Sequence, residues 1–364
     1  MKWLVIGGGS MGRRRLRDLT YLDPGEILLF EPASGRRRDV AEAFGVRGFG
    51  SFEAALGESP GAVVVSSPPT LHEEYVLAAM ERGLHVFAEV PFVYDAGVAR
   101  QIARRAETYP AVLGVSHTIR YYPPYRIIRD LLAAGAIGKP LYLEYSLGNY
   151  LPDWHPYEDY RDFYGARANL GGCGMDMILH DIAPVLWWMG PVTSVLARFS
   201  KLSALDLQGP DNQDVLLGFA GGARGYFHND IIERGTLGRH IRIAGESGTI
   251  EWRQDQTSLR LFEAPAKASR HIPFSDAAGW EQALAASREM TAILERQRLS
   301  SGHIPSARGG DFTYESCYLR ETRAFVEAVE GRHAYPVAFP LELDTVSVFH
   351  AIVQSNEEAR EIHL

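Results

Sequence analysis

Lysine is nearly absent from this chain of 364 residues: of its 37 basic residues only those at positions 2, 139, 201 and 267 are lysine. A formal charge of −8 offers no positive footprint, which argues against nucleic acid as a partner. Cysteine is as scarce. Cys173 and Cys317 are too few for a disulfide scaffold or a multi-cysteine metal site and point to a reducing compartment. No uninterrupted apolar run approaches membrane-spanning length, so no membrane partner is expected. MKWLVIGGGSMG enters a strand pattern at once without room for a charged leader, and the expected location is the cytoplasm. What is present, 46% apolar and 23% charged residues, is the composition of a globular protein long enough for two domains.

From residue 1 to about 118, short β-branched runs alternate with helical patterns. The runs are WLVIG (3–7), EILLF (26–30), AVVVS (62–66), HVFAE (85–89) and AVLGV (111–115), with helical stretches near 11–22, 35–44, 71–83 and 95–109. The alternation predicts βαβ units and a doubly wound parallel sheet, an N-terminal Rossmann domain over 1–118. Its first strand runs into Gly7-Gly8-Gly9-Ser10-Met11-Gly12, a G-x-G-x-x-G that opens a helix. Gly7 makes the tight turn, Gly9 lets a pyrophosphate approach the backbone, and Gly12 lets helix and strand pack closely, so that the N–H groups of Ser10 and Met11 can hold phosphate. Glu31 ends the second run where an acidic residue would hold the ribose hydroxyls. That carboxylate favours NAD, while Ser34, Arg36, Arg37 and Arg38 leave NADP open.

Beyond residue 118 the pattern changes to an α+β domain over 119–364. LYLEYSLG (141–148) alternates, DVLLGFAGGARGYFHND (214–230) reads as two strands around Gly221-Gly222, and HIRIAGESGTIEW (240–252) reads as a hairpin. Together they predict a large, mainly antiparallel open sheet, with a helix near 174–189 between its early strands and a last helix from about 343 to 360. Asp176 and His180 stand four apart in GGCGMDMILHDIAP (171–184), so a helix places carboxylate and imidazole on one face. Removing an alcohol proton while a hydride leaves is work for a histidine, and a carboxylate one turn earlier can fix its tautomer. The plain structural alternative is a buried Asp–His bond that closes the helix. No third ligand stands at useful spacing, so no metal is expected. Pro184, four residues on, is expected to bend the helix.

These residues resemble the Gfo/Idh/MocA family, the glucose–fructose oxidoreductase and inositol dehydrogenase group. The motifs are GGGSMGRRRLRDL (7–19), SSPPTLH (66–72), HVFAEVP (85–91), SHTIRYYP (116–123), GGCGMDMILHDIAPVLWWMG (171–190) and ESGTIEW (246–252), in order along nearly the whole chain. LPDWHPYEDYR (151–161) and KLSAL (201–205) look more narrowly like a subgroup of surface-sugar biosynthesis, and 265–311 looks like an insertion. The resemblance implies that the helix beginning at Gly174 lines the cleft, with His180 as acid/base and Asp176 orienting it. It also implies cofactor contacts from Ser66, Pro68, His72, Glu89, Val90 and Thr118, and substrate contacts from Arg120 and Tyr121. Where the family usually has Glu-Lys-Pro, with a lysine that helps proton removal, this chain has Glu89-Val90-Pro91. Three residues after His180 the family often has aspartate, and here stands Ala183.

Between the strand at 141–148 and the helix at 174–189, Asp153, Trp154, His155, Arg161 and Arg167 set aromatic faces beside charged groups, a combination that suits a polyhydroxylated ring. Three functions follow: an NAD(P)-dependent oxidoreductase acting on a sugar, sugar nucleotide or cyclitol; a redox-neutral lyase, epimerase or glycosidase using tightly held NAD; and a non-catalytic sugar- or nucleotide-binding relative in which Val90 marks lost chemistry. The first is the expectation. A homodimer or homotetramer through the C-terminal sheet is expected as well.

Overall fold

The computed structural model describes residues 1–155, 158–235, 238–297, 313–337 and 339–364. In chain order the first elements are β1 (Lys2–Ile6), α1 (Ser10–Leu22), β2 (Glu26–Phe30), α2 (Ser34–Phe44), β3 (Arg47–Phe49), α3 (Phe52–Leu56), β4 (Ala62–Val65), α4 (His72–Glu81), β5 (His85–Ala88), α5 (Ala96–Ala106) and β6 (Leu113–Val115). Then come α6 (Pro123–Ala133), β7 (Pro140–Gly148), α7 (Met175–Met189), β8 (Val192–Ser200), β9 (Asn212–Phe219), β10 (Arg224–Asp230), β11 (Arg239–Gly245), β12 (Gly248–Arg253), β13 (Ser258–Glu263) and β14 (Ala268–Pro273). The chain ends with α8 (Trp280–Gln297), α9 (Ser316–Val329), α10 (Phe339–Glu358) and β15 (Ile362–His363).

Two compact units result: Met1–Tyr121 with Gln282–Leu343, and Tyr122–Glu281 with Asp344–Leu364. The division differs from the one read off the sequence, in which everything beyond residue 118 went to the second domain. Residues 282–343 return to the first unit because α9 supplies it with apolar cover. Phe325 and Val326 join Trp3, Val5, Leu16, Leu29, Val64 and Phe87 in one buried cluster, with the Phe325 ring 5.2 Å from that of Phe87. Residue 114 on β6 is glycine for the same reason, since a Cβ there would stand 2.7 Å from the Phe325 ring. Of the expected insertion at 265–311, residues 298–311 lie outside the described residues. The earlier part forms β14 and α8, whose Met290, Ile293 and Leu294 pack with Leu319 of α9.

The first sheet is wholly parallel in the order β3-β2-β1-β4-β5-β6. Trp3, Leu4, Val5 and Ile6 are all buried, as a strand covered on both faces requires. Five of its strands are the five apolar runs. The sixth, β3, reads Arg-Gly-Phe and carries no apolar run that could announce it.

The second sheet has nine strands in the order β14-β13-β12-β11-β7-β10-β9-β8-β15, antiparallel except between β7 and β10. Its alternation is that of a sheet with one face packed. Leu143, Tyr145, Phe227, Ile241, Ile243, Ile250 and Trp252 are buried, while Glu144, Tyr226, Arg242 and Glu251 stand on the other side. Trp188 of α7 lies against Tyr125 of α6 and Tyr145 of β7, with ring centroids 5.1 and 6.5 Å away.

Candidate active site

In the first unit the glycine loop is dictated by close approaches. Gly7 has φ +97°, and a Cβ there would meet the Ser66 carbonyl oxygen at 2.7 Å; one on Gly12 would meet the Gly7 oxygen at 1.9 Å. Gly9 is different. A Cβ on it would have no protein atom within 4 Å, and as the residue before α1 it offers no side-chain cap. The first N–H groups of α1 therefore point where a negatively charged group can come close. Beside Gly7, the hydroxyls of Ser66 and Ser67 are buried without a partner, the condition of groups that await one from a ligand. Ser10 is held from within its helix, its Oγ accepting from Arg14 at 2.6 Å.

Glu31 is buried at the end of β2, where its Oε2 accepts from the Gly8 N–H and its Oε1 from the Ala33 N–H, both at 2.9 Å. Arg37 donates to the carbonyls of Glu31 and Pro32, and Arg36 stays exposed with a nitrogen 3.7 Å from the Glu31 carboxylate. The loop and carboxylate fit a dinucleotide with free ribose hydroxyls, and Glu31 would repel an added 2′-phosphate.

Three other residues expected to touch the cofactor point into the protein. His72 is buried between the carbonyls of Pro91 (2.6 Å) and Ser67 (2.8 Å), and burial holds its pKa down. Glu89 pairs with the buried Arg15 at 2.6 and 3.1 Å. Thr118 donates to Glu321 at 2.7 Å. The Glu321 carboxylate of α9 also accepts from Arg15 (2.8 Å), Ser116 (3.0 Å) and the His117 N–H (2.6 Å). This hub was invisible in the sequence because Arg15 and Glu321 are 306 positions apart. Val90 is half-buried beside Glu89 and has no polar atom to offer in place of a lysine. Tyr121 is buried, its carbonyl accepting from Arg320 at 2.8 Å, and Arg120 is half-buried.

In the second unit, α7 is entered through Gly171–Gly174. Gly174 has φ +82°, and a Cβ there would lie 2.6 Å from Asn229 Nδ2 and 2.7 Å from Gln213 Oε1. Gln213 and Asn229 donate to the carbonyls of Cys173 (2.9 Å) and Gly174 (3.1 Å), fixing the helix start on β9 and β10. Burial pushes the Cys173 thiol up to about 11, which keeps it from acting as a thiolate.

Asp176 and His180 lie on α7 as their spacing requires, but no hydrogen bond joins them. Asp176 Oδ2 accepts from Tyr164 OH at 2.8 Å, while its Oδ1 and His180 Nδ1 are buried atoms without a partner. Asp176 is expected to orient His180, and here Tyr164 bonds one of its carboxylate oxygens while the other is left open. Burial pushes the Asp176 carboxyl up to about 6 against the opposing donation from Tyr164. The carboxylate nearest the imidazole is Asp181, with Oδ2 3.8 Å from His180 Nδ1. Asp181 is fully buried and bound by Arg239 at 2.7 and 3.1 Å and by Tyr145 OH. Burial would raise it, but Arg239 and His180 hold it well below the usual carboxylate range. Pro184 lies inside α7, which continues to Met189.

The aromatic stretch is partly packed away. Trp154 rests against Leu151, Ala166 and Ile231. His155 bonds Glu158 at 2.6 Å and lies 4.3 Å from the Phe163 ring. Arg161 is exposed and closes on Asp159 of its own turn, and Asp153 is exposed. Arg167 is half-buried. Pro156 and Tyr157 lie outside the described residues. No group of three metal-ligating side chains is found among the described residues, and no helix among them is long and apolar enough to cross a membrane.

Residues 1–117 match the model of an oxidoreductase family with an NAD-binding Rossmann fold, and residues 125–251 match that of the GFO/IDH/MocA C-terminal domain. The chain is 24% identical to a myo-inositol 2-dehydrogenase of Thermotoga maritima over 371 residues, covering 99% of this chain and 97% of that protein. It is 25% identical to a 1,5-anhydro-D-fructose reductase of Ensifer adhaerens over 284 residues, 73% and 84% of the two chains. Among solved structures, an Agrobacterium radiobacter oxidoreductase in complex with NAD+, L-tartaric acid and magnesium shares the fold with a TM-score of 0.77 at 17% identity, covering 100% of this chain and 98% of its own. A levoglucosan dehydrogenase in complex with NADH and levoglucosan does so at 0.76 and 18%, covering 100% of this chain and 99% of its own. With both of its domains matched in order, the chain belongs to the GFO/IDH/MocA family of oxidoreductases and carries that family's NAD-binding Rossmann fold.

Proposed function

We propose that the protein transfers a hydride between NAD and a hydroxyl-bearing carbon of a sugar, sugar nucleotide or cyclitol, with His180 exchanging the hydroxyl proton. The observation that carries this reading is the pair of buried atoms on α7 with no partner, Asp176 Oδ1 and His180 Nδ1. An unsatisfied buried polar atom costs about 1–3 kcal/mol, and a bond made only to close the helix would have joined the two. Ring polyols are named as substrates of the relatives, an inositol dehydrogenase and an anhydrofructose reductase, which supports the substrate class.

Bound NAD supplies the hydride acceptor or donor. The chain's own residues do the rest. The backbone from Gly7 to Gly12 holds the diphosphate, with Ser66 and Ser67 beside it, and Glu31 selects free ribose hydroxyls and so NAD over NADP. As the C–H bond gives up its hydride, the O–H proton passes to His180 Nε2, leaving a carbonyl; in reverse the imidazolium returns it. Arg167 and Trp154 are assigned to the substrate ring. Asp153, His155 and Arg161 stand at the edge of that assignment because they are exposed or already paired.

Val90 favours a second reading, a redox-neutral reaction on retained NAD, since no lysine stands there to help the proton leave. One experiment separates the readings: incubate the purified protein with NAD+ and a panel of cyclitols, anhydrosugars and sugar nucleotides, and follow NADH. Net NADH that disappears in His180→Ala supports the first. Product without net NADH, with nucleotide retained through purification, supports the second. Turnover unchanged in His180→Ala overturns the role of His180 in both.

We also assign the open face of the second sheet to a second copy of the chain. Cross-strand register sets Leu196, Leu216, Tyr226, Glu144, Arg242, Glu251 and Arg260 in one row. Leu196 and Leu216 are 41% and 54% exposed at one end of that row, and charges of both signs alternate at the other. A self-complementary surface of this kind suits a two-fold interface. Sedimentation of the wild type and of Leu216→Arg tests it, with dimer expected for the first and monomer for the second.

A further inference from the structure

Asp181 is bound more firmly than any other group near His180. Its Oδ1 accepts from Tyr145 OH and from Arg239 Nε at 2.7 Å, and its Oδ2 accepts from an Arg239 terminal nitrogen at 3.1 Å. Tyr145 is steadied in turn by Tyr125 OH at 2.9 Å. Four elements meet here: α7 with Asp181, β7 with Tyr145, β11 with Arg239 and α6 with Tyr125. Of the two Asp181 oxygens only Oδ2 escapes Tyr145, and it is the one that lies 3.8 Å from His180 Nδ1.

Resting on the reading of His180 as the acid/base, we propose that Asp181, fixed by Arg239 and Tyr145, is its positioning carboxylate. A small turn of the imidazole brings Nδ1–H onto Asp181 Oδ2. The mobile proton is thereby directed to Nε2, the nitrogen that meets the substrate. The bidentate guanidinium keeps Asp181 ionised throughout the working range, so His180 has one charged neighbour that does not titrate with it. Asp176 is the contrasting neighbour, bonded to Tyr164. Among the described residues, the charged and titratable groups linked to the imidazole through its neighbours are Asp176 and Asp181 on its own helix, Tyr164 bonded to Asp176, Tyr145 and Arg239 bonded to Asp181, and Tyr125 behind Tyr145.

The test is the titration of the His180 imidazole by NMR of protein with labelled histidine, its signal assigned by loss in His180→Gln, together with the pH profile of kcat/KM for alcohol oxidation. In Asp181→Asn the imidazolium loses its stabilising charge, and both the midpoint and the acid limb move to lower pH by about one unit, a tenfold change in the proton equilibrium. In Tyr145→Phe the carboxylate loses a donor, becomes the stronger acceptor, and both move to higher pH by a few tenths. A merely structural Asp181 would lower Tm in both variants and leave midpoint and limb in place, which overturns the proposal. Should Asp181→Asn fail to fold, Tyr145→Phe decides. If instead His180→Ala keeps wild-type turnover, the acid/base reading fails while the NMR midpoint still reports whether Asp181 governs the imidazole.

Discussion

At the start of α1 the groups offered to a ligand are backbone N–H groups framed by glycines, and the charged side chains behind them, Arg15, Glu89 and Glu321, are matched with one another. At the start of α7 the offer is made by side chains, and two of their polar atoms are left unmatched. A dinucleotide diphosphate asks for fixed dipoles, room and neutral donors such as the unpartnered Ser66 and Ser67 hydroxyls, so the charged groups behind that site can be matched among themselves. Proton exchange asks for a group that changes charge. Such a group cannot be fully neutralised by neighbours without losing its use, and the fold carries the cost.

The comparison can be broken most severely at His180. Replacement by alanine is expected to reduce kcat/KM by about 10²–10⁴-fold while NAD affinity, read by fluorescence titration, holds; a loss of both would mean that the two ends are not separate in function. Glu321→Gln attacks the matched side. It removes one carboxylate from a buried guanidinium, and urea unfolding should show a loss of about 3 kcal/mol; a change near zero would show that Glu89 alone neutralises Arg15.

A smaller effect is expected at Gly9, where a Cβ touches no protein atom within 4 Å. Gly9→Ala should leave Tm in place and weaken NAD binding about ten- to a hundredfold, an energy of about 1.4–2.7 kcal/mol, because the methyl group occupies the diphosphate's approach. A lowered Tm with unchanged affinity would contradict it.

The smallest effect has the opposite sign. The Asp176 carboxyl, pushed up to about 6 by burial, is ionised at pH 8 in an environment that disfavours the charge. Asp176→Asn should therefore stabilise the fold by about 1–2 kcal/mol at pH 8 while lowering activity. A native value raised above the unfolded one means that the wild type binds the extra proton when folded, so its deficit shrinks as pH falls through 6 and vanishes below the ordinary aspartate range. Urea midpoints of both proteins at pH 8 and pH 4 check the sign; a gap that does not narrow excludes Asp176 as its source.

Local pattern made much of this legible. The five apolar runs became five strands, Gly7 and Gly12 are glycine for the reasons their spacing suggests, and Asp176 and His180 do share α7. What stayed hidden was of two kinds. β3, β14 and β15 are edge strands whose pairing is set by neighbours rather than by their own periodicity, and β8 and β13, each paired on both sides, were not among the expected strands either. Partner choice was hidden as well: spacing says that Asp176 can reach His180, yet not that Tyr164 reaches Asp176 first or that Arg239, far along the chain, holds Asp181. Glu89, Thr118 and His72, cofactor contacts by the family resemblance, each bond to protein partners: Arg15, Glu321 and the carbonyls of Pro91 and Ser67. For Glu89, Thr118 and Asp181 the deciding contact spans 74, 203 and 58 positions, and a single chain read locally carries no signal for it.

The packing of α9 on α1 also bears on how the protein is made. Arg14, Arg15 and Arg17 near the amino terminus find Glu315 and Glu321 only after some three hundred further residues have left the ribosome. Until then the nascent Rossmann half carries arginines without these carboxylates and a bare apolar patch at Phe87. Its completion is thus a late event in synthesis, and the nucleotide site reaches its finished form only once α9 has been translated.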